Sequence, residues 1–113
     1  MCSQNEAISI IRELRDSLES LFPKADFEAI LFGSYARNEA ESDSDIDVMF
    51  LVDAPRQVIA EKHWQIGEAA ADLLMEHGIV VSPIVENREY FHENADLFPF
   101  YMNIQREGVR ISA

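Results

Sequence analysis

Two aspartates separated by one residue form the pair of side chains whose chemistry stands out most in this sequence. Asp45 and Asp47 lie at the entry of an apolar segment, residues 46–52, which reads as a strand central in a sheet. Side chains two residues apart on a strand project from the same face, about 7 Å apart at Cα. Hard oxygen ligands so placed suit Mg²⁺, which keeps several waters and shares its coordination with substrate phosphates. Because two close carboxylates raise each other's pKa, a cation between them is electrostatically favourable.

Two other interpretations of the acidic segment are weaker. Most acidic runs are solvated loops, but Asp47 leads directly into apolar residues, where a solvated loop needs no carboxylate. Asp43, Asp45 and Asp47 also have the spacing of a calcium-binding EF-hand loop. That loop requires Gly next and Glu at its twelfth position, where this chain has Val48 and Ala54.

A second candidate site follows an apolar strand that ends at Phe32. Gly33 has no side chain, so a phosphate can approach the backbone closely, and Ser34 adds a hydroxyl. If residues 35–37 begin a helical turn, their free N–H groups favour an anion, and Arg37 adds a charged donor. A Gly-Ser pair alone is weak evidence, since it occurs in many ordinary turns.

Helical and extended patterns alternate along the chain and predict the elements that position these residues. A capping box of Ser3 and Glu6 marks the first helix start, and Gly78 and Gly108 mark helix ends. The predicted helices cover residues 4–21, 56–77 and a region ending near Glu107. The predicted strands cover residues 29–32, 46–52, 79–85 and 109–111. Pro83 has no N–H, which places the third strand at an edge or a bulge.

Length and charge limit the protein class. The 113 residues have room for one domain, predicted over residues 1–113 as an α/β or α+β fold with a small mixed sheet flanked by helices. Nine Lys and Arg stand against 21 Asp and Glu, a formal net charge of -12. That balance argues against direct nucleic-acid binding, because phosphate backbones need Lys and Arg to displace their counterions.

The sequence also predicts a compartment. The single cysteine, Cys2, allows no internal disulfide, and the first residues lack the basic and apolar regions of a secretory signal. No apolar run approaches the roughly 20 residues of a membrane helix. We therefore expect a soluble cytoplasmic protein that contacts no membrane.

Gly33-Ser34, ten intervening residues and Asp45-Ile46-Asp47 together resemble the signature of the DNA polymerase β superfamily of nucleotidyltransferases. The flanking Gly-Ser-Tyr-Ala-Arg and Ser-Asp-Ile-Asp sequences are most similar to those of the minimal nucleotidyltransferases of prokaryotes. Chain length, element order and the Val-Ser-Pro-Ile-Val segment at residues 81–85 extend the resemblance over essentially the whole chain.

The resemblance implies a role for each motif residue. Gly33, Ser34 and Arg37 are expected to bind the nucleotide, with ATP as substrate. Asp45 and Asp47 are expected to bind Mg²⁺ and, with Ser34, to be catalytic. The resemblance also implies a third carboxylate, which family members with full activity supply from a later strand. The matching position here is Ser82, with Glu86, just beyond the predicted strand, as a possible substitute.

Minimal nucleotidyltransferases of this kind resemble antitoxins that are encoded beside HEPN-domain RNase toxins. The resemblance implies transfer of AMP to a tyrosine hydroxyl of such a toxin, binding of the toxin, or both. A catalytically weak antitoxin that acts by binding is the alternative function, and a small antibiotic nucleotidyltransferase ranks last. Homo-oligomers and hetero-oligomers both remain open.

Residues outside the motifs invite weaker functional interpretations. The three histidines have no metal-ligand spacing among them, which favours surface or capping roles. Phe98, Phe100 and Tyr101 have helical spacing, which favours a core position over a partner-binding face.

Overall fold

The computed structural model describes residues 3–111, which form helices and strands in the order helix-strand-strand-helix-helix-strand-helix-helix-strand. The strands are β1 (Phe27–Phe32), β2 (Ile46–Val52), β3 (Val81–Asn87) and β4 (Val109–Ile111). The helices are α1 (Gln4–Glu19), α2 (Arg56–Glu61), α3 (His63–His77), α4 (Arg88–Asn94) and α5 (Pro99–Glu107). Cys2 lies outside the described residues, and a single domain over residues 1–113 stays a prediction.

The four strands form one mixed sheet in the order β3-β2-β1-β4. Strand β1 pairs antiparallel with β2 and with β4, whereas β2 pairs parallel with β3. The expected α+β fold with a small mixed sheet flanked by helices is therefore confirmed. Pro83 lies in β3, an edge strand of the sheet. Because no strand in the described part of the chain pairs with the outer side of β3, the missing N–H of Pro83 interrupts no hydrogen bonding there.

Helices cover both faces of the sheet because its central strands carry apolar side chains on both faces. On one face, Leu31, Val48 and Phe50 pack in a core with α1 and α3. On the other face, Ile30, Phe32, Met49 and Leu51 pack against α4 and α5. The helix residues of this second core are Phe91, Ala95 and Ile104. Every residue of β2 is buried except Asp47, which is half-buried.

The capping box at the start of α1 is confirmed in both directions. The Glu6 N–H donates to Ser3 Oγ at 3.1 Å, and the Ser3 N–H donates to Glu6 Oε1 at 3.2 Å. At the far end of α3, His77 Nε2 lies 2.9 Å from Glu13 Oε2, which joins α3 to α1.

The prediction of one continuous helix over residues 56–77 is wrong, because the chain leaves the helical conformation at Lys62 (φ -98°, ψ 8°). The Lys62 N–H donates to Ile59 O at 3.0 Å, which closes a tight turn and ends α2. The helical bonding restarts when the Ile66 N–H donates to Lys62 O. Apolar spacing persists across the break, so the sequence pattern gives no sign of it.

The third strand lies two residues further along the chain than predicted. Its parallel register runs from Ile46–Val81 to Val52–Asn87, so pairing with β2 extends β3 through the polar pair Glu86 and Asn87. The last predicted helical region is two helices, α4 and α5. Leu97, expected among its apolar contacts, lies between them with 70% of its surface exposed.

Candidate active site

Asp47 is the second residue of β2, which lies between β1 and β3 in the sheet. The antiparallel register places Phe32, the last residue of β1, opposite Asp47, and the parallel register places Ser82 opposite it on the other side. Paired residues in neighbouring strands present their side chains to the same face. Asp45 is exposed and directly precedes β2. The carboxylates of Asp45 and Asp47 and the hydroxyl of Ser82 therefore lie near one another, at the end of the sheet where β2 and β3 begin.

Gly33 is required by the position of Asp47. Its φ of +75° lies in the left-handed region, which favours glycine. A Cβ added at Gly33 would also overlap Asp47 Oδ2, so the missing side chain makes room for that carboxylate. The sequence pattern predicts that this glycine admits a phosphate, whereas in the structure it admits the Asp47 side chain.

Overlapping hydrogen-bonded turns, rather than a helix, follow Gly33. The N–H groups of Ala36 and Arg37 donate to Gly33 O at 3.1 and 3.2 Å. Asn38, with φ +57°, is in the left-handed conformation at the end of these turns. The expectation that residues 35–37 offer free N–H groups to an anion is therefore wrong for Ala36 and Arg37. The half-buried Ser34 stands at the beginning of these turns.

Arg37 is held by two carboxylates. Its Nε lies 2.6 Å from Glu39 Oε1, and its Nη1 lies 3.1 Å from Glu107 Oε1 at the end of α5. The hydrogen bond to Glu39 raises the pKa of this guanidinium, with smaller contributions from Glu107. A bound triphosphate would have to exchange with these carboxylates before Arg37 contacted it.

The environment of Asp47 disfavours a bare negative charge. Burial raises the pKa of the Asp47 carboxyl above its ordinary value of 3.8, and the charge of Asp45 raises it further. The positive charge of Arg37 acts in the opposite direction and is the smallest of the three effects. A divalent cation would remove the repulsion between the two carboxylates.

The donor set has the chemistry that Mg²⁺ prefers. Asp45 and Asp47 supply hard carboxylate oxygens from one face, and exposed Asp45 leaves room for waters and for substrate phosphates. The neighbouring β3 position holds the neutral hydroxyl of Ser82. A cavity of about 390 Å³ borders Asp45 and is also lined by Glu6, Tyr35 and Val80. Gly33, Ser34 and Asp47 do not line this cavity, so it lies beside the motif residues rather than among them.

Glu86 does not lie with the two aspartates. It is inside β3, opposite Leu51 and four residues along the register from Ser82. Its side chain accepts hydrogen bonds from Arg56 at 3.2 and 3.3 Å and from the Tyr101 hydroxyl at 2.9 Å. Its expected position just beyond the strand and its role as a substitute carboxylate are therefore wrong. Sequence offered no signal for this network, because its members are up to 45 residues apart.

The aromatic residues near the C-terminus divide between core and surface. Tyr101 is half-buried, whereas Phe98 and Phe100 are 39% and 46% exposed. The Phe100 ring packs edge-on against Phe32, with centroids 5.7 Å apart. Because Phe32 is opposite Asp47, α5 contacts the sheet directly beside the candidate site.

The chain belongs to the nucleotidyltransferase domain family, whose model matches residues 11–110. It is 31% identical over 98 residues to a Methanocaldococcus jannaschii protein named "Putative protein adenylyltransferase MJ0604", over 87% of this chain and 90% of that relative. A second protein of that organism, "Putative protein adenylyltransferase MJ0141", is 34% identical over 80 residues, covering 71% of this chain and 79% of its own. The resemblance to minimal nucleotidyltransferases is confirmed, and the protein is a nucleotidyltransferase. The roles assigned to Gly33, Ser34, Arg37, Asp45 and Asp47 stay predictions.

Within residues 3–111, none of the helices has the length and apolar character needed to cross a bilayer.

Proposed function

We propose that this nucleotidyltransferase transfers AMP from ATP to a hydroxyl group of a partner protein in a Mg²⁺-dependent reaction. The observation that carries the proposal is the seating of Asp47 against Gly33, with Asp45 on the same approach to β2. A protein acceptor is supported by the names of the two relatives. The proposed partner is a HEPN-domain RNase toxin, which the transfer neutralises in the cytoplasm.

The proposed reaction is a displacement at the α-phosphorus of ATP. The acceptor oxygen forms a bond to that phosphorus, the bond to the β-phosphate oxygen breaks, and pyrophosphate leaves. The acceptor proton passes to solvent. Gly33 and Ser34 would hold the triphosphate, and Arg37 would join them after leaving Glu39 and Glu107.

Asp45 and Asp47 would hold the metal beside the phosphates. When bound, Mg²⁺ supplies positive charge to the triphosphate and to the leaving pyrophosphate. Because both carboxylates project from the same face of the strand, they would hold the positive charge of the metal on that side of the sheet. Phe32, opposite Asp47, packs against Phe100 and gives the site an apolar border on that side.

Charge supports a protein acceptor over a nucleic acid. The chain has a formal net charge of -12, and residues 39–53 carry six acidic side chains with no Lys or Arg. A polyanion meets electrostatic repulsion from such a surface, whereas a basic protein is attracted to it.

The test incubates the wild-type chain with Mg²⁺, ATP labelled at the α-phosphate and the HEPN-domain protein encoded beside it. We expect label on the partner, and loss of that label with Asp45→Asn and with Asp47→Asn. Asp53→Asn is the matched control, because it removes the same charge from an exposed position at the other end of β2. Labelling that persists in both site variants would contradict the assignment.

Ser82 favours one second candidate function, an antitoxin that acts by binding its toxin without modifying it. A neutral residue opposite Asp47 leaves the set of carboxylates smaller than the three that the family resemblance implies for a fully active site. Under this alternative, the double variant Asp45→Asn/Asp47→Asn still protects cells from the toxin. Loss of protection with unchanged complex formation would instead assign the protection to catalysis.

A further inference from the structure

The number of metal ions that this site can hold depends on what stands beside Asp47. Two-metal sites hold their ions about 3.5–4 Å apart. Neighbouring strands lie about 4.8 Å apart, so the β3 residue opposite Asp47 is within reach of an ion that Asp47 binds. That residue is Ser82, whose half-buried hydroxyl carries no charge.

Other acidic side chains on the neighbouring elements have partners elsewhere. Glu86 is only 8% exposed, lies about 13 Å along β3 from Ser82 and is bound by Arg56 and Tyr101. Glu39 and Glu107 are both paired with Arg37.

Glu41 and Asp43 are the remaining acidic residues of the loop before β2, and Glu41 is exposed and does not line the cavity beside Asp45. Asp43 is the nearer of the two to β2 along the chain. It is exposed, lies in a turn and borders the cavity that Asp45 also lines. Because Asp43 precedes the extended approach to β2, no strand pairing fixes it beside Asp47. It therefore enters the test as the competing source of a third carboxylate.

We infer that this chain holds a single divalent cation between Asp45 and Asp47, and that Ser82 is the residue that sets this number. Two carboxylates match the charge of one divalent ion. A third carboxylate at Ser82 would add a negative charge about one strand spacing from Asp47 and would call for a second ion. The inference deepens the proposed Mg²⁺ dependence and rests on it.

The experiment counts Mn²⁺, a spectroscopically visible substitute for Mg²⁺, bound to the full chain with a non-hydrolysable ATP analogue. We expect one Mn²⁺ per wild-type chain and an electron paramagnetic resonance spectrum without coupling between ions. Ser82→Asp should bind two Mn²⁺ ions with the coupling of a close pair. Ser82→Asn introduces a side chain with the shape of aspartate but without its charge. This variant should still bind one Mn²⁺ ion.

A coupled Mn²⁺ pair in the wild-type chain would overturn the inference, as would a folded Ser82→Asp variant that stays at one ion. A wild-type count of two that falls to one in Asp43→Asn would overturn it by identifying Asp43 as the third carboxylate. The wild-type count decides the question even if Ser82→Asp does not fold. A chain that labels its partner yet binds a metal pair contradicts this inference alone, whereas a chain that binds no Mn²⁺ contradicts the proposed function as well.

Discussion

At the scale of single residues, the site is defined by a contact between a glycine and a carboxylate. Gly33 combines a left-handed backbone with a position where any side chain would overlap Asp47. The sequence identified both residues but not their contact, because β1 and β2 pair through a register that no local pattern shows. The motif residues Gly33 and Asp47 therefore pack closely against each other, and they also belong to the candidate phosphate and metal site.

Three glycine-to-alanine variants separate these effects. Gly33→Ala should lower the free energy of unfolding most, by more than the roughly 1–2 kcal/mol of a left-handed residue alone, because it also displaces Asp47. Gly78 has a φ of +70°, and nothing lies within 4 Å of an added Cβ. Gly78→Ala should therefore lower the free energy of unfolding only through its strained backbone. Gly67→Ala lies in α3 with nothing within 4 Å and should stabilise by about 0.5–1 kcal/mol. Urea denaturation measures all three, and equal losses for Gly33 and Gly78 would contradict the overlap.

Asp47→Asn should stabilise the metal-free protein while removing activity. The raised pKa of Asp47 means that folding favours its protonated form, so ionisation destabilises the fold. Relative to the variant, the wild type should lose stability as pH rises from about 3.8 through the higher folded pKa, with a constant deficit above it. The deficit should stay below about 1 kcal/mol, because solvent screens this half-buried group. Thermal unfolding across pH measures it, and saturating Mg²⁺ should reverse the order of stability.

At the scale of elements, sequence patterns located most helices and strands but not the contacts between them. The bounds of β2 and the capped start of α1 follow from local rules, and both are confirmed. The break at Lys62 and the two-residue shift of β3 were missed, because backbone geometry and parallel register decide them. Register also decides the candidate site, since it places Ser82 beside Asp47 and Glu86 far from it.

The Glu86 network connects β3 to α2 and α5, and Tyr101→Phe tests it. Removing the hydroxyl deletes one hydrogen bond to a buried carboxylate and should cost about 1 kcal/mol. Burial and the bond to Glu86 raise the pKa of Tyr101 above 10.0, so the folded phenol stays protonated where the unfolded one ionises. The advantage of tyrosine over phenylalanine should therefore be full below pH 10 and decline above it.

Urea denaturation of both proteins across that pH range is the measurement. Tyr90→Phe is the control, because it keeps the ring that lies 3.7 Å from the Arg56 guanidinium carbon. An equal loss in the two variants would show that the Glu86 bond has no special weight.

The contact between Arg37 and Glu107 connects the turns after Gly33 to the end of α5. Because both carboxylates compete with phosphate for the guanidinium, Glu107→Gln should tighten nucleotide binding about two- to fivefold, the effect of a surface ion pair worth less than 1 kcal/mol. Titration with a fluorescent ATP analogue measures the affinity. The control is Glu93→Gln, an exposed change on α4; tightening of the same size there would indicate a general charge effect.

At the scale of the whole molecule, the acidity has two parts with different consequences. Residues 39–53 hold six of the 21 acidic side chains, among them the pair proposed to bind metal. A bound cation offsets part of this charge, so the effective charge near the site differs from the formal one. Exposed acids elsewhere, such as Asp16 and Asp72, keep their charge and would extend the field towards the proposed basic partner.

Association with such a partner should therefore be fast at low salt and slow steeply as salt is added. Long-range attraction between a chain of net charge -12 and a basic protein raises the association rate, and salt screens it over about 10 Å at 0.1 M. The variant Asp16→Asn/Glu19→Gln/Asp72→Asn removes three charges at exposed positions far in sequence from the motif. It should associate more slowly at low salt, by a factor of a few, and should show a shallower salt dependence with little change in dissociation rate. Stopped-flow mixing at several NaCl concentrations measures both rates. An unchanged association rate would mean that local contacts, rather than the overall charge, direct the encounter.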